Sequence, residues 1–196
     1  MKKMEIALLL ALTAAFLMAA GQADFSETCA AVRADTVRLH VVAHSDSAAD
    51  QSAKLAVRDG VLALCETLTA GCRSDEEVRA VLARSTDAIA QRADETLTAL
   101  GLGYGARAYV TDMFFDQRSY GGVTLPAGRY AALRVELGAG AGHNWWCMVY
   151  PGVCFAAAEE ETALADYDPR ERQVVLGGQR YALRFKLEEW LQTLRT

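Results

Sequence analysis

Residues 120–155 read YGGVTLPAGRYAALRVELGAGAGHNWWCMVYPGVCF and hold two of the three tryptophans and two of the five cysteines. This stretch predicts three strands, at residues 120–125, 129–137 and 144–150. Between the first two, the Pro-Ala-Gly sequence at 126–128 favours a turn, because proline presets φ and glycine accepts a positive φ. The third strand is nearly all apolar, which predicts a central position in a sheet.

The middle strand alternates between two faces. One face carries Ala131, Leu133, Val135 and Leu137, and the other carries Tyr130, Ala132, Arg134 and Glu136. The glycine-rich residues 138–142 resemble a phosphate-binding loop. Such a loop needs a helix N-terminus behind it, and here another strand follows. We therefore predict a flexible hairpin connection.

The first 23 residues are expected to direct export. Lys2 and Lys3 precede an apolar run at residues 6–20, and small residues allow cleavage after Ala23. This pattern is typical of a secretory signal peptide or of an uncleaved signal anchor. Contact with a membrane is expected only through this segment.

The chain has 196 residues, of which 52% are hydrophobic, so it can form a core and fits one domain. Residues 24–35 are predicted to be a linker or a short helix, and residues 36–196 the domain. The net charge of −5 argues against nucleic acid as a partner, because phosphate binding needs a basic face.

Export changes how the cysteines are interpreted, because disulfides persist outside the cytoplasm. Cys147 and Cys154 flank a turn and are predicted to form a bridge, the alternative being that they are small buried side chains. Cys65 and Cys72 have the same spacing, but we expect them to be small buried side chains. Cys29 is expected in a flexible arm. The cysteines include no CxxC pair, so no metal site is predicted.

Upstream and downstream segments complete the predicted fold. We predict a strand at residues 37–43, helices at 47–69 and 74–100, a strand at 106–112, a small hairpin at 174–183 and a closing helix at 185–194. Ser47 and Ser74 have the spacing of capping boxes. The order predicts an α+β fold, with a mainly antiparallel sheet, two long N-terminal helices packed on one face and a short C-terminal helix. Whether the first strand is central or at an edge stays open.

The candidate catalytic residues do not converge. His40 and His44 are four residues apart on a strand, ~13 Å from each other, too far to share a metal. His143 lacks an accompanying nucleophile motif, so no triad is predicted. Asp46 and Asp50 are best explained as acids at a helix N-terminus. No cofactor is predicted, and the residues favour a binding or signalling module over an enzyme.

Trp145 and Trp146 point to opposite faces of one strand. One of them is expected in the core and the other on the second face of the sheet. Tyr130 and Arg134 would give that second face an aromatic and basic character. These four residues are the candidate partner contacts, since tryptophan is enriched at binding hot spots. The alternative is an ordinary solvated sheet face.

The motifs YGGxTLPAGxY and ALRVxLGxGxGxNWWCxxYPxxCF within residues 120–155 resemble the stage II sporulation protein R family. Residues 38–58, RLHVVAHSDSAADQSAKLAVR, and the C-terminal RFKLEEW also match the family pattern. His44 departs from it, because the family has asparagine there.

The resemblance implies a signalling protein that is exported from the forespore into the intermembrane space. There, such a protein would activate a membrane-embedded aspartic protease that processes the sigma-E precursor. The alternative function is an extracytoplasmic cell-wall hydrolase, which would depend on a polar cluster such as His40 with Asp46.

Overall fold

A computed structural model describes residues 2–120, 122–151, 164, 167–178 and 180–194. Its helices are α1 Lys2–Ala34, α2 Ala48–Thr69, α3 Asp75–Arg84, α4 Thr86–Ala99, α5 Pro169–Leu176 and α6 Ala182–Thr193. Its strands are β1 Val37–Val42, β2 Ala106–Phe115, β3 Arg118–Tyr120, β4 Val123–Leu125, β5 Gly128–Leu137 and β6 Asn144–Tyr150. The fold is α+β, as predicted.

The main sheet is mixed rather than mainly antiparallel. The described strands lie in the order β2-β5-β1-β6. β1 pairs in parallel with β5 and antiparallel with β6, while β2 pairs antiparallel with β5. β1 is therefore an interior strand, which answers the question that the sequence left open.

The predicted central position of β6 is wrong, because this strand lies at an end of the described sheet. Its apolar character has another cause. Cys147 and Val149 pack in the core beneath the helices, and Met148 packs in a second cluster on the opposite face. An edge strand that is covered on both faces needs apolar residues on both.

The first face of the sheet is covered by α2, α3 and α4. Their buried positions include Val57, Val61, Leu82, Ile89 and Leu97, which pack against Leu39, Val41, Leu133 and Val135. The Ser47 hydroxyl accepts a hydrogen bond from the Asp50 amide, and the Ser74 hydroxyl accepts one from the Glu77 amide, so both predicted N-caps are confirmed.

The second predicted helix is divided into α3 and α4 at Ser85. The Ser85 amide donates a hydrogen bond to the Leu82 carbonyl. The backbone of Ser85 has a φ of −106° and a ψ of 9°, and these angles interrupt the helix. The following Thr86 and Asp87, like Ser85 itself, belong to residue types that favour helix ends over helix interiors. The apolar residues keep their helical spacing across this break, and that spacing is the reason why the sequence predicted a single helix.

Half of the second face is covered by the C-terminal part of α1, the β3–β4 hairpin, α5 and α6. Phe25, Cys29 and Val32 of α1 are buried there. The predicted flexible arm around Cys29 is therefore wrong, because residues 24–34 continue α1 and bury one side of it. By contrast, the side chains of residues 2–20 are exposed.

The predicted hairpin near the C-terminus is also wrong, because α5 and α6 occupy this region. Asp168 caps α5 by accepting a hydrogen bond from the Arg170 amide, and Glu171 bonds back to the Asp168 amide. Pro169 occupies the first helical position, where its missing amide hydrogen costs nothing. The Asp-Pro sequence therefore starts a helix here.

Residues 138–142 do not form the predicted hairpin connection, since β5 and β6 are separated by β1. The loop crosses the C-terminal end of β1, where the Gly142 amide donates to Ala43 O at 3.0 Å. A Cβ on Gly142 would lie 2.2 Å from Ser45 O, so the close approach requires glycine. This contact fixes the loop beside the start of α2.

Candidate functional site

The uncovered half of the second face presents one group of polar and aromatic side chains. The strand registers place Tyr109 opposite Arg134, Arg134 opposite His40, and His40 opposite Trp146. Arg107 and Glu136 form the neighbouring row. We call this group the open face and define it as Arg107, Tyr109, Arg134, Glu136, Asn144 and Trp146 around His40.

Glu136 is the electrostatic centre of the open face. Its carboxylate accepts hydrogen bonds from Arg107 Nε at 2.5 Å, from Arg134 Nε at 2.7 Å and from the Tyr109 hydroxyl at 2.9 Å. Burial by itself raises the pKa of Glu136, but these hydrogen bonds outweigh it and hold the pKa below its usual range. The carboxyl is therefore ionised at neutral pH.

The two arginines leave the open face with a net positive charge, because two guanidinium groups surround one carboxylate. The side chain of Arg107 is 72% exposed, whereas that of Glu136 is 8% exposed. The positive groups are thus presented to solvent while the negative group is enclosed by its partners. The sequence pattern placed Glu136 on this face but gave no indication of its central role.

His40 lies beneath this surface, where its neighbours give it a structural role. Its Nε2 is 2.8 Å from Asn144 Oδ1, and its ring stacks on Trp146 with 4.1 Å between centroids. Nδ1 has no hydrogen-bond partner among the described residues. Burial lowers the pKa of His40 to about 4, so the ring is neutral at pH 7.

Trp146 is the tryptophan that belongs to the open face. Besides stacking on His40, it makes an edge contact with Phe115, with 5.1 Å between ring centroids. Trp145 lies on the opposite face against the helical core, where the Arg58 guanidinium sits 4.4 Å from its ring centroid. Both rings are half-buried. The prediction that the two rings lie on opposite faces of the sheet is therefore confirmed.

Tyr130 is not available for contact with a partner. Its side chain is 1% exposed, and its hydroxyl donates to Pro126 O at 2.5 Å. The covered half of the second face also encloses Arg38, whose guanidinium lies 4.1 Å from the Phe115 ring centroid and 5.1 Å from that of Tyr130. Of the predicted contact residues on this face, Arg134 and Trp146 reach the surface.

A second polar cluster lies at the C-terminal end of β1. Asp46 Oδ1 is 2.6 Å from the His143 amide nitrogen and 2.5 Å from its Nδ1. The hydrogen bond from the His143 amide, followed by that from its ring, lowers the pKa of Asp46. Lys54 Nζ donates to the His143 carbonyl at 3.0 Å. These bonds tie the loop before β6 to the start of α2.

The two acids predicted at the start of α2 have different roles. Asp50 lies in the first turn, where the Ser45 and Tyr104 hydroxyls donate to it at 2.5 Å each. Asp46 instead binds His143. The structure thus joins Asp46 to His143 and His40 to Asn144, and it does not assemble the His40–Asp46 cluster that the hydrolase alternative would use. The described residues contain no group of three potential metal ligands.

The predictions made for the individual cysteines differ in how they compare with the structure. Cys65 is fully buried in the helical core, as expected for a small apolar side chain, whereas Cys72 is only half-buried at the edge of that core. The free thiols of the described residues are Cys29, Cys65 and Cys72. Cys147 is described, but Cys154 lies outside the described residues, so the bridge between them stays a prediction.

Comparison with known proteins identifies the family. The sequence profile of the family described as stage II sporulation protein R matches residues 33–160, more than half of the chain. This chain belongs to the stage II sporulation protein R family. It is also 33% identical over 135 residues to stage II sporulation protein R of Bacillus subtilis (strain 168). That match covers 69% of this chain and 60% of the relative, less than two thirds of its length.

No solved structure matches the chain. The family match includes β1, the helical layer, the open face and the Asp46–His143 pair, whereas α5 and α6 lie beyond it. All of α1 except its last two residues precedes the match. α1 is long and apolar enough to cross a membrane by length and composition, and it is compatible with a signal peptide or a membrane anchor.

Proposed function

We propose that this protein is an exported signalling protein of sporulation that activates a membrane-embedded aspartic protease, which then processes the sigma-E precursor. Membership in the stage II sporulation protein R family is the observation that carries this proposal. The apolar N-terminal half of α1 is compatible with export from the forespore or with anchoring at its membrane.

The open face supplies a suitable contact surface for the protease. Arg107 and Arg134 present positive charge, and Trp146 adds an aromatic anchor beside them. Tryptophan and arginine are among the residue types that are enriched at interface hot spots. We therefore infer that the partner presents a surface with acidic groups around an apolar pocket. In this proposal the protein acts as a ligand and performs no chemistry.

The decisive experiment is reconstitution of precursor cleavage from the purified protein, protease and precursor. Added protein should stimulate cleavage in a dose-dependent and saturable manner. Trp146→Ala removes an anchor worth ~2 kcal/mol, so the half-maximal dose should rise roughly 30-fold while the maximal rate returns at high dose. Failure of the wild-type protein to stimulate cleavage would refute the proposal.

Charge reversal tests which surface is used. Arg107→Glu should raise the half-maximal dose, and its effect should shrink at high salt because it acts on electrostatic association. Arg92→Glu is a matched control, because Arg92 is an ion-paired, exposed arginine on α4, in the helical layer. If the control has the larger effect, the open face is not the contact surface.

A further inference from the structure

One side of α6 packs against the rest of the protein. Phe185 and Glu188 are 1% and 0% exposed. Phe185 makes an edge contact with Phe25 of α1, with 5.1 Å between ring centroids, and Glu188 pairs with Arg33 at 3.2 Å. These contacts hold α6 against the C-terminal part of α1.

The opposite side of α6 is apolar and faces solvent. We call it the α6 stripe and define it as Leu183, Leu187, Trp190 and Leu194. Leu183 is 87% exposed and Trp190 is 58% exposed. Successive members are four, three and four residues apart, which places them within about 60° of arc on the helix. A continuous exposed row of large apolar side chains marks an interaction site rather than an ordinary surface.

The α6 stripe begins where the apolar part of α1 ends. Arg184 Nη1 donates to the carbonyl of Gly21, the residue that directly follows the apolar run, at 3.3 Å. Leu187 also lines a groove of about 700 Å³ together with Met18 and Ala19 of that run. If α1 crosses a bilayer, these contacts place the start of α6 at the boundary between lipid and water.

The charges of α6 fit the same location. At 100° per residue, Arg184 lies on one side of the stripe and Lys186 on the other. Long basic side chains extend toward phosphate groups while their stems lie against apolar surface, and tryptophan prefers the membrane–water interface. The acidic residues lie elsewhere, with Glu188 buried and Glu189 beyond Lys186, farther from the stripe.

We propose that the α6 stripe is a membrane-docking surface that binds the interface of an anionic phospholipid bilayer beside the point where α1 leaves it. The membrane contact thus extends beyond the N-terminal segment. Two attachments would restrict the orientation of the domain, whereas α1 alone, as one continuous helix, would leave it free to rotate about the helix axis. The proposal does not depend on the identity of the protease.

Depth-dependent quenching of Trp190 tests the proposal. The full chain is reconstituted into bilayers of phosphatidylglycerol and phosphatidylethanolamine, with plain or brominated acyl chains. The signal of Trp190 is the difference in tryptophan emission between the wild type and Trp190→Phe. Bromine should remove most of this signal, because the ring would lie at the acyl-chain boundary.

Substitutions in the stripe should reverse this result without unfolding the protein. A variant with Leu183→Gln and Leu194→Gln alters exposed side chains, so circular dichroism should stay unchanged while the Trp190 signal recovers in brominated bilayers. Leu100→Gln is the matched control, because Leu100 is also an exposed leucine but lies at the end of α4. Quenching should persist in this control.

Two results would overturn the proposal. In the first, Trp190 is equally bright in plain and brominated bilayers and is open to a water-soluble quencher, so the stripe faces water. In the second, Trp190 is protected from both quenchers, so protein rather than lipid covers the stripe, as in a second copy of this chain.

Discussion

Acid is expected to destabilise the protein through His40. Burial lowers the pKa of this ring from 6.5 to about 4, although the hydrogen bond with Asn144 opposes the shift. The unfolded chain therefore takes up a proton near pH 6.5, whereas the folded protein does not until about pH 4. Stability contributed by the neutral ring is fully present above pH 6.5 and falls as the pH decreases through this window. At ~1.4 kcal/mol per pKa unit, the total loss is on the order of 3 kcal/mol.

The assay is urea denaturation of the full chain in a mild non-ionic detergent, followed by tryptophan fluorescence at a series of pH values and constant ionic strength. His40→Gln removes the titrating group while keeping a polar side chain that can bond with Asn144. The variant will be less stable at every pH, because it loses the stack on Trp146. Its free energy of unfolding should nevertheless fall less steeply between pH 6.5 and 4 than that of the wild type.

The comparison of slopes isolates His40 from the other titrating groups, which both proteins share. Equal slopes would mean that the ring is protonated as easily in the folded protein as in the unfolded chain. That outcome would refute the buried, neutral environment assigned to His40. A steeper slope in the variant would refute it as well.

Three further predictions concern function and processing. Asp46→Asn and His143→Ala should each leave stimulation of precursor cleavage largely intact, whereas a folded variant that is silent at every dose would favour the hydrolase. A bridge between Cys147 and Cys154 should appear in intact-mass analysis of the exported protein as a loss of two protons that reductant reverses. Labelling of both residues by a thiol reagent would contradict the bridge. A chain beginning at Asp24 should not be exported but should unfold cooperatively in denaturant, and loss of cooperativity would place the removed segment in the fold.

Local signals in the sequence were sufficient for many elements of the fold. Ser47 and Ser74 predict the starts of α2 and α3, because a serine hydroxyl satisfies a free amide of the first turn wherever the helix later packs. The alternation along β5 predicts its two faces for a similar reason, since successive side chains of a strand must point to opposite sides. Such signals depend on the residue and its near neighbours alone.

Where local signals conflicted, the predictions failed. Gly177 and Gly178 suggested a hairpin, although the Asp168 cap and Pro169 supply a clear helix start before them. In β6, a continuous apolar run is compatible with a central strand or with a covered edge. The choice between these depends on which elements pack on each face, and that information lies far away in the chain.

The candidate site shows the same division between sequence and tertiary structure. The sequence by itself determined the family, the apolar N-terminal segment and the residues that share each strand face. Only the tertiary structure decided that β1 pairs with β5 and β6, which brings His40, Arg134 and Trp146 into one row. It also decided that Tyr130 is buried while Trp146 reaches the surface. The physical reason is that alternation assigns a side chain to a face, whereas its exposure depends on how far α1, α5, α6 and the β3–β4 hairpin extend across that face.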